Sequence, residues 1–169
     1  MAATNKKLIV AVVGYTGGVG SCLLTAMEKI GLRPHALVRS STMKIGTGTS
    51  EEIPVDYGKL SSYLLQQGGI PVIADVTASS AVQENYEGWL KQGISVVAAN
   101  KGIFAGPEEK YRALLAAANE GGCRLLHEIS HSSPLAFVSI SSATFVVLFR
   151  KSGQGSSMRS PSDSLECIA

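Results

Sequence analysis

The stretch Leu8 to Gly20, LIVAVVGYTGGVG, admits few structures. Leu8 to Val13 is a run of branched apolar residues with little alternation, the pattern of a strand buried on both faces of a parallel sheet. Glycines at 14, 17, 18 and 20 come next, and then a helical pattern begins. The chain must therefore turn sharply from strand into helix. Gly14 suits the tight turn, Gly17 leaves no side chain where a pyrophosphate could approach the backbone, and Gly20 lets the helix lie close on the strand. Such a turn offers free backbone N–H groups and the positive end of a helix dipole. It suits a dinucleotide phosphate held by Gly14, Tyr15, Thr16, Gly17, Gly18, Val19 and Gly20. The G-x-x-G-x-x-G string is weak by itself; lying between a buried strand and an amphipathic helix strengthens it. The competing expectation is a glycine-rich turn that binds nothing.

With 169 residues the chain has room for one ordinary domain rather than two. A formal charge of +2 gives no basic field, so nucleic acid is not implied. Cys22, Cys123 and Cys167 are scattered thiols with no C-x-x-C pair, which fits a reducing compartment and argues against a disulfide frame or zinc site. The opening MAATNKK lacks the apolar core of a signal peptide. A cytoplasmic setting is the default, with an organellar address removed beforehand left open.

After the glycine turn, Val19, Leu23, Met27 and Ile30 fall at helical spacing and Gly31 ends the helix. Arg33 to Val38 reads as a second strand, and the residue at its end bears on the cofactor. An acidic residue there would hold a ribose 2′-OH, whereas a cation accommodates a 2′-phosphate. Here the strand ends Val38-Arg39-Ser40-Ser41 with no carboxylate. Arg39 can fork to a phosphate and the serines can donate to it, which favours NADP over NAD, against the alternative of a solvated surface arginine. Met43 to Asp56 reads as a surface excursion, Lys59 to Gln67 as a short helix closed by Gly68-Gly69, and Val72 to Val76 as another buried strand.

Thr77, Ala78 and Ser79 lie just past that strand's carboxyl end, the edge where open α/β sheets bind ligands. Ser79 or Ser80 is alternatively only the N-cap of the next helix, the reading preferred for Ser80. Val82, Tyr86, Trp89 and Leu90 give that helix an apolar stripe, with Trp89 a core residue. Ser95 to Ala99 forms a further strand and delivers Asn100-Lys101-Gly102 to the same edge. A lysine there could bind a carboxylate or polarise a carbonyl beside a hydride donor, or simply open a surface loop. Pro107 suits the first position of a helix whose stripe is Tyr111, Leu114, Leu115 and Ala118. Gly121-Gly122 closes it, and Arg124 to His127 is a short strand delivering Glu128. Strand and helix alternate throughout this span, so the fold class is α/β with a doubly wound parallel sheet. Residues 129–169 are serine-rich, with one interrupted apolar run from Leu135 to Phe149 that is too short for a confident membrane span. That run is expected to add a strand or hairpin at the sheet edge, and the remainder to be irregular and disordered.

The glycine turn, DVTAS at 75–79, the helix carrying Trp89-Leu90, and VVAANKG at 96–102 before a Gly-Pro helix start together resemble the nucleotide-binding half of homoserine dehydrogenase. The resemblance implies a Rossmann-like domain over residues 1–128 and a divergent tail over 129–169. It implies reversible hydride transfer between NAD(P)H and a small-molecule substrate, aspartate 4-semialdehyde giving homoserine. By the same resemblance Gly14, Gly17 and Gly20 cradle the pyrophosphate, Arg39 with Ser40 the 2′-phosphate, and Thr77 the nicotinamide side. Asn100 and Lys101 lie where cofactor meets substrate, and Lys101 and Glu128 serve catalysis. Glu128 also matches the family's glutamate near its monovalent-cation and substrate region.

The chain departs from the family after Glu128, where ISHSSPLAFV stands in place of alternating small residues and glycines. A substrate and dimerisation domain is not expected within the remaining length, which leaves homo-oligomerisation open. The expectation is a chain that binds NADP(H), with NAD as the alternative, and turns over poorly by itself. A short-chain reductase is a second enzyme reading on the same glycines and Arg39, weakened because no Tyr-x-x-x-Lys pair occurs. A non-catalytic NADP-binding module is a third.

Overall fold

A computed structural model describes residues 7–100, 102, 106–127, 148–151 and 165–168. The apolar run becomes β1 (Leu8–Val13), buried on both faces from Ile9 onward. The glycine turn leads into α1 (Gly18–Lys29), which returns the chain to β2 (Ala36–Val38). The helix ends at Ile30, and Gly31 comes next at φ 71°, a left-handed conformation that glycine adopts without strain.

The 43–56 segment is not the loose excursion its polar composition suggests. It forms β3 (Thr42–Ile45) and β4 (Ile53–Pro54), which extend the sheet, β3 antiparallel to β2 and β4 antiparallel to β3. The reason is Met43, which is 1% exposed and supplies the apolar anchor that the surrounding Thr, Gly and Ser residues mask.

The chain then crosses the sheet through α2 (Tyr57–Gln66), capped by Asp56 accepting from the Lys59 N–H, and enters β5 (Ile70–Asp75). A broken helix succeeds it, α3 (Ser80–Gln83) and α4 (Tyr86–Lys91), then β6 (Ser95–Ala98), α5 (Glu108–Gly121) and β7 (Leu125–His127). Ser79, not Ser80, occupies the cap position of α3, because the Ser80 backbone is already helical. Pro107 likewise sits at the cap of α5, one residue before the helix proper.

The seven strands lie in the order β4-β3-β2-β1-β5-β6-β7. Strands β2, β1, β5, β6 and β7 run parallel, with Val13 opposite both Val38 and Asp75. Period-two alternation sends Ile9, Ala11 and Val13 to the face covered by α2, α4 and α5, where Leu60, Leu64, Trp89 and Leu114 pack. Val10 and Val12 go to the opposite face against Leu23 and Met27 of α1. Because β2 and β5 flank β1 on opposite sides, the connections leaving β1, through α1 to β2, and leaving β5, through α3 and α4 to β6, diverge there. That divergence makes the carboxyl ends of β1 and β5 the crevice position where sheets of this kind bind ligands.

Two further strands, β8 (Leu148–Lys151) and β9 (Leu165–Ile168), pair antiparallel with each other in a separate two-stranded sheet. Of the apolar run expected to add a strand or hairpin at the sheet edge, all but Leu148 and Phe149 lies outside the described residues. Leu165–Ile168, within the stretch expected to be disordered, forms β9.

Candidate functional site

Four chain segments meet at the carboxyl edge, and backbone bonds tie them together. The Gly14 N–H donates to the Val38 carbonyl at 2.7 Å, joining the glycine turn to the end of β2. The Val76 N–H donates to the Val13 carbonyl at 3.0 Å, and the Ala99 N–H to the Asp75 carbonyl at 2.9 Å.

The glycines are not equivalent. Gly14 has φ 91°, and a Cβ there would lie 2.6 Å from the Thr77 Cγ2. A Cβ on Gly20 would collide with the Gly14 carbonyl oxygen and lie 2.6 Å from the Tyr15 Cα. The fold itself requires glycine at these two positions. Gly17 is different: its φ of −77° is open to any residue, and the one atom near a Cβ would be the Gly14 carbonyl oxygen at an ordinary 3.5 Å. Gly18 has nothing within 4 Å.

Gly17 is the N-cap of α1 and provides no side-chain cap, and its carbonyl accepts the first helical bond, from Ser21 at 2.9 Å. The N–H groups of the first turn, Gly18, Val19 and Gly20, have no acceptor within the helix. Thr16, Gly17 and Gly18 are exposed, Tyr15 and Val19 half-buried and Gly20 buried, so the helix start opens to solvent at Gly18.

Across the crevice the DVTAS loop hangs from a buried carboxylate. Asp75, 0% exposed, accepts from the Thr77 N–H at 2.8 Å and, in a short hydrogen bond, from the Tyr86 hydroxyl. Burial first, and then the Asp75 charge, push the Tyr86 phenol far above its ordinary pKa, so it remains a donor. The Thr77 hydroxyl oxygen accepts from the Ser79 N–H at 3.1 Å. Ser79 in turn accepts, through its carbonyl, from the Asn100 side-chain amide at 3.1 Å, and the Asn100 oxygen accepts from the Gly102 N–H at 3.2 Å. Asn100 is 5% exposed, so in this arrangement it joins the β5 and β6 loops. The chain Tyr86, Asp75, Thr77, Ser79, Asn100, Gly102 fixes one wall of the crevice.

Sequence reasoning passed over the pairing of Asp75 with Tyr86. The available signal was an acidic residue closing an otherwise apolar strand, VIAD, which is costly to bury without partners.

Arg39 and Ser40 emerge from β2 beside the glycine turn and are exposed. Arg39 is not a free cation: it donates to the Thr42 hydroxyl and to Glu52, each at 2.7 Å. Glu52 is a further residue whose role the sequence did not reveal. A cleft of about 310 Å³ between α3, α4 and α5 opens beside Gly102, lined by Ser80, Gln83, Glu84, Glu87 and Lys110 among others. Lys101 and Glu128 lie outside the described residues. Among the described residues no cluster of His, Cys, Asp and Glu could hold a metal ion, and no helix is long and apolar enough to cross a membrane.

Comparison with known proteins agrees with this geometry. Residues 16–128 match the profile of the family described as homoserine dehydrogenase, NAD binding domain. The homoserine dehydrogenase of Schizosaccharomyces pombe is 25% identical over 162 residues, covering 82% of this chain and 43% of the relative. That of Emericella nidulans is 32% identical over 104 residues, covering 62% and 26%. The chain thus spans less than half the length of these relatives. Among solved structures, a hyperthermophilic archaeal homoserine dehydrogenase in complex with NADPH superposes with a TM-score of 0.57 at 18% identity, covering 72% of this chain and 44% of that one. A Candida auris protein of unknown function superposes with a TM-score of 0.64 at 18% identity, covering 77% and 40%. At these identities the superpositions establish the Rossmann-like fold. The profile match, which spans most of the chain and the carboxyl-edge loops described above, establishes the family: the chain belongs to the homoserine dehydrogenases, through their NAD-binding domain.

Proposed function

We propose that these residues bind NADP(H) as the cofactor half of a reversible hydride transfer between homoserine and aspartate 4-semialdehyde. The observation that carries the reading is Gly17. Nothing among the described residues demands glycine there, since its φ suits any residue and a Cβ would meet only the Gly14 carbonyl oxygen at 3.5 Å. A glycine at the cap of α1 fits a place kept clear for the close approach of a pyrophosphate. The residues present therefore fit the group.

In this reading the amides of Gly18, Val19 and Gly20 hold the pyrophosphate, with Gly17 leaving room for it and Tyr15 and Thr16 at its border. Arg39, with Ser40, receives the 2′-phosphate, and Thr77, Ala78 and Ser79 border the nicotinamide ribose. Bound nicotinamide would supply the hydride donor or acceptor. Asn100 holds the β5 and β6 loops in register, and Lys101, the next residue in sequence, is assigned to pair with the substrate carboxylate or polarise its carbonyl. Glu128, which follows β7 in sequence, is assigned to the substrate and monovalent-cation region. Residues 1–128 form the dinucleotide domain and 129–169 a distinct tail, in a protein of the cytoplasm.

A lone lysine cannot orient an aldehyde against a hydride donor, since misplacement by about 1 Å costs on the order of a hundredfold. These 169 residues measured alone are accordingly expected to bind NADPH and to turn over homoserine slowly or not at all. Fluorescence titration with NADPH, paired with a steady-state assay of homoserine oxidation, tests both halves. Absence of NADPH binding would remove the cofactor assignment, and turnover at the rate of a complete homoserine dehydrogenase would remove the claim that catalysis needs more than this chain.

A further inference from the structure

The turn after β2 gathers three donors onto one carboxylate. The Arg39 Nη2 donates to the Glu52 Oε2 at 2.7 Å, the Thr42 hydroxyl donates to the same oxygen at 2.8 Å, and the Lys44 Nζ lies 3.6 Å from Oε1. Arg39 is held in this pose by its Nε donating to the Thr42 hydroxyl oxygen at 2.7 Å. The cluster carries two cations and one anion, so a positive charge remains uncompensated. It also lies one residue beyond the contact at which the Gly14 N–H meets the Val38 carbonyl, beside the glycine turn.

Glu52 is brought here from the far side of a loop. The chain leaves β3, passes Gly46 and Gly48 at φ 113° and 78°, and returns through Glu52 into β4, where Ile53 pairs with Met43. The backbone at the base of the cluster is therefore anchored. The side chains are open to water, with Arg39 43% and Glu52 31% exposed, so parting them is an inexpensive motion of two hydrated groups. The hydrogen bond from Thr42, and then the Arg39 and Lys44 charges, hold the Glu52 carboxyl below its ordinary pKa. It is ionised at neutral pH.

We infer that Glu52 is an internal counter-anion seated on Arg39 and Thr42, which a 2′-phosphate must displace, so that Glu52 sets the preference between phosphorylated and unphosphorylated dinucleotides. The inference rests on the cofactor reading of the glycine turn and deepens it. A phosphate monoester brings up to two negative charges and three acceptor oxygens to a guanidinium fork and an ammonium that now share one carboxylate. It takes over the cluster, but against the competition of Glu52, and any carboxylate left nearby repels it. An unphosphorylated dinucleotide brings only a 2′-hydroxyl, which displaces nothing. Glu52 thus lowers the affinity for the phosphorylated form while leaving the other nearly untouched.

Calorimetric titration of the full chain and its Glu52→Gln variant with NADPH and with NADH tests this. Glutamine keeps an acceptor for Thr42 but removes the charge. The expected result is NADPH binding tightened by about tenfold, equivalent to about 1.4 kcal/mol, with NADH changed by less than about twofold. Glu52→Asp, which retains the charge on a shorter arm, is expected to fall between wild type and Glu52→Gln. Thermal midpoints close to that of wild type confirm that the surface substitution leaves the fold alone.

Unchanged or weakened NADPH binding in Glu52→Gln would overturn the inference, because Glu52 would then only hold Arg39 in place. Weakened NADH binding would overturn it as well, by showing that Glu52 accepts from a ribose hydroxyl. If wild type and variants bind neither nucleotide, the cofactor reading falls and this inference falls with it, an outcome distinct from binding that is indifferent to Glu52.

Discussion

Gly17 and Gly20 are three positions apart in one turn, and the structure asks different things of them. An alanine at 20 would drive its Cβ into the Gly14 carbonyl and the Tyr15 backbone. Gly20→Ala is therefore expected to destabilise by about 2 kcal/mol, read as a lowered urea midpoint at unchanged slope. The glycine pattern was legible in the sequence because a turn between a buried strand and a helix restricts what can stand there. Which glycines serve the fold and which leave room for a ligand was not, since that depends on atoms of Tyr15 and Thr77 brought close only by folding.

His35 belongs to the same scale. It is 5% exposed at the entrance to β2, its Nδ1 has no hydrogen-bond partner among the described residues, and burial, followed by the Lys7 charge, pulls its pKa below the ordinary value. The unfolded chain therefore takes up the proton first as pH falls. The stability tied to neutral His35 is fully present above the unfolded imidazole value of about 6.5 and is lost as pH falls below it toward the folded value. The urea midpoint is expected to drop as pH falls from about 7.5 to about 5, and His35→Leu to flatten that drop. An equally steep drop in the variant would assign the dependence to other groups.

At the scale of elements, the parallel strands and the helices between them were readable because continuous Val and Ile runs, helical stripes and terminal glycines all favoured the same assignment. The 43–56 segment was not readable. Its Thr, Gly and Ser content speaks for a loop, and the deciding facts are two short antiparallel pairings and the burial of Met43. Met43→Ala is expected to cost about 2–5 kcal/mol, as for other buried methionines, whereas substitutions in a solvated loop fall within about 0.5 kcal/mol. Denaturant titration distinguishes these. That misreading also hid Glu52, which reaches Arg39 only because β3 and β4 fold back on β2.

The Asp75 and Tyr86 pair was hidden for a related reason: the helix carrying Tyr86 looked uniformly apolar on its buried face, yet one of its members carries the hydroxyl that satisfies the buried acid. Tyr86→Phe leaves Asp75 short of a donor and is expected to cost about 1–3 kcal/mol in urea denaturation. The same change is expected to speed hydrogen exchange at the Thr77 amide, the other donor to that carboxylate. Unaltered exchange at Thr77 would show that the loop does not depend on the pair.

For the molecule as a whole, the sheet order puts beside β1 the carboxyl edge at which sheets of this kind bind ligands, and the family profile is that of an NAD binding domain. The edge is built by convergence, with the glycine turn, the end of β2, the DVTAS loop and Asn100 each supplied by a different strand. The central claim is that the glycine turn holds NADP(H). Its most direct test is calorimetric titration of NADPH into wild type and Gly17→Ala, with the urea midpoint of each measured in parallel. The account predicts saturable binding by wild type and binding weaker by about tenfold or more in Gly17→Ala. The variant's stability is expected to be unchanged or raised by about 0.5 kcal/mol, since a Cβ at Gly17 makes only an ordinary contact and the unfolded chain loses freedom. Equal NADPH affinity in the two proteins, or no binding by wild type, would contradict it.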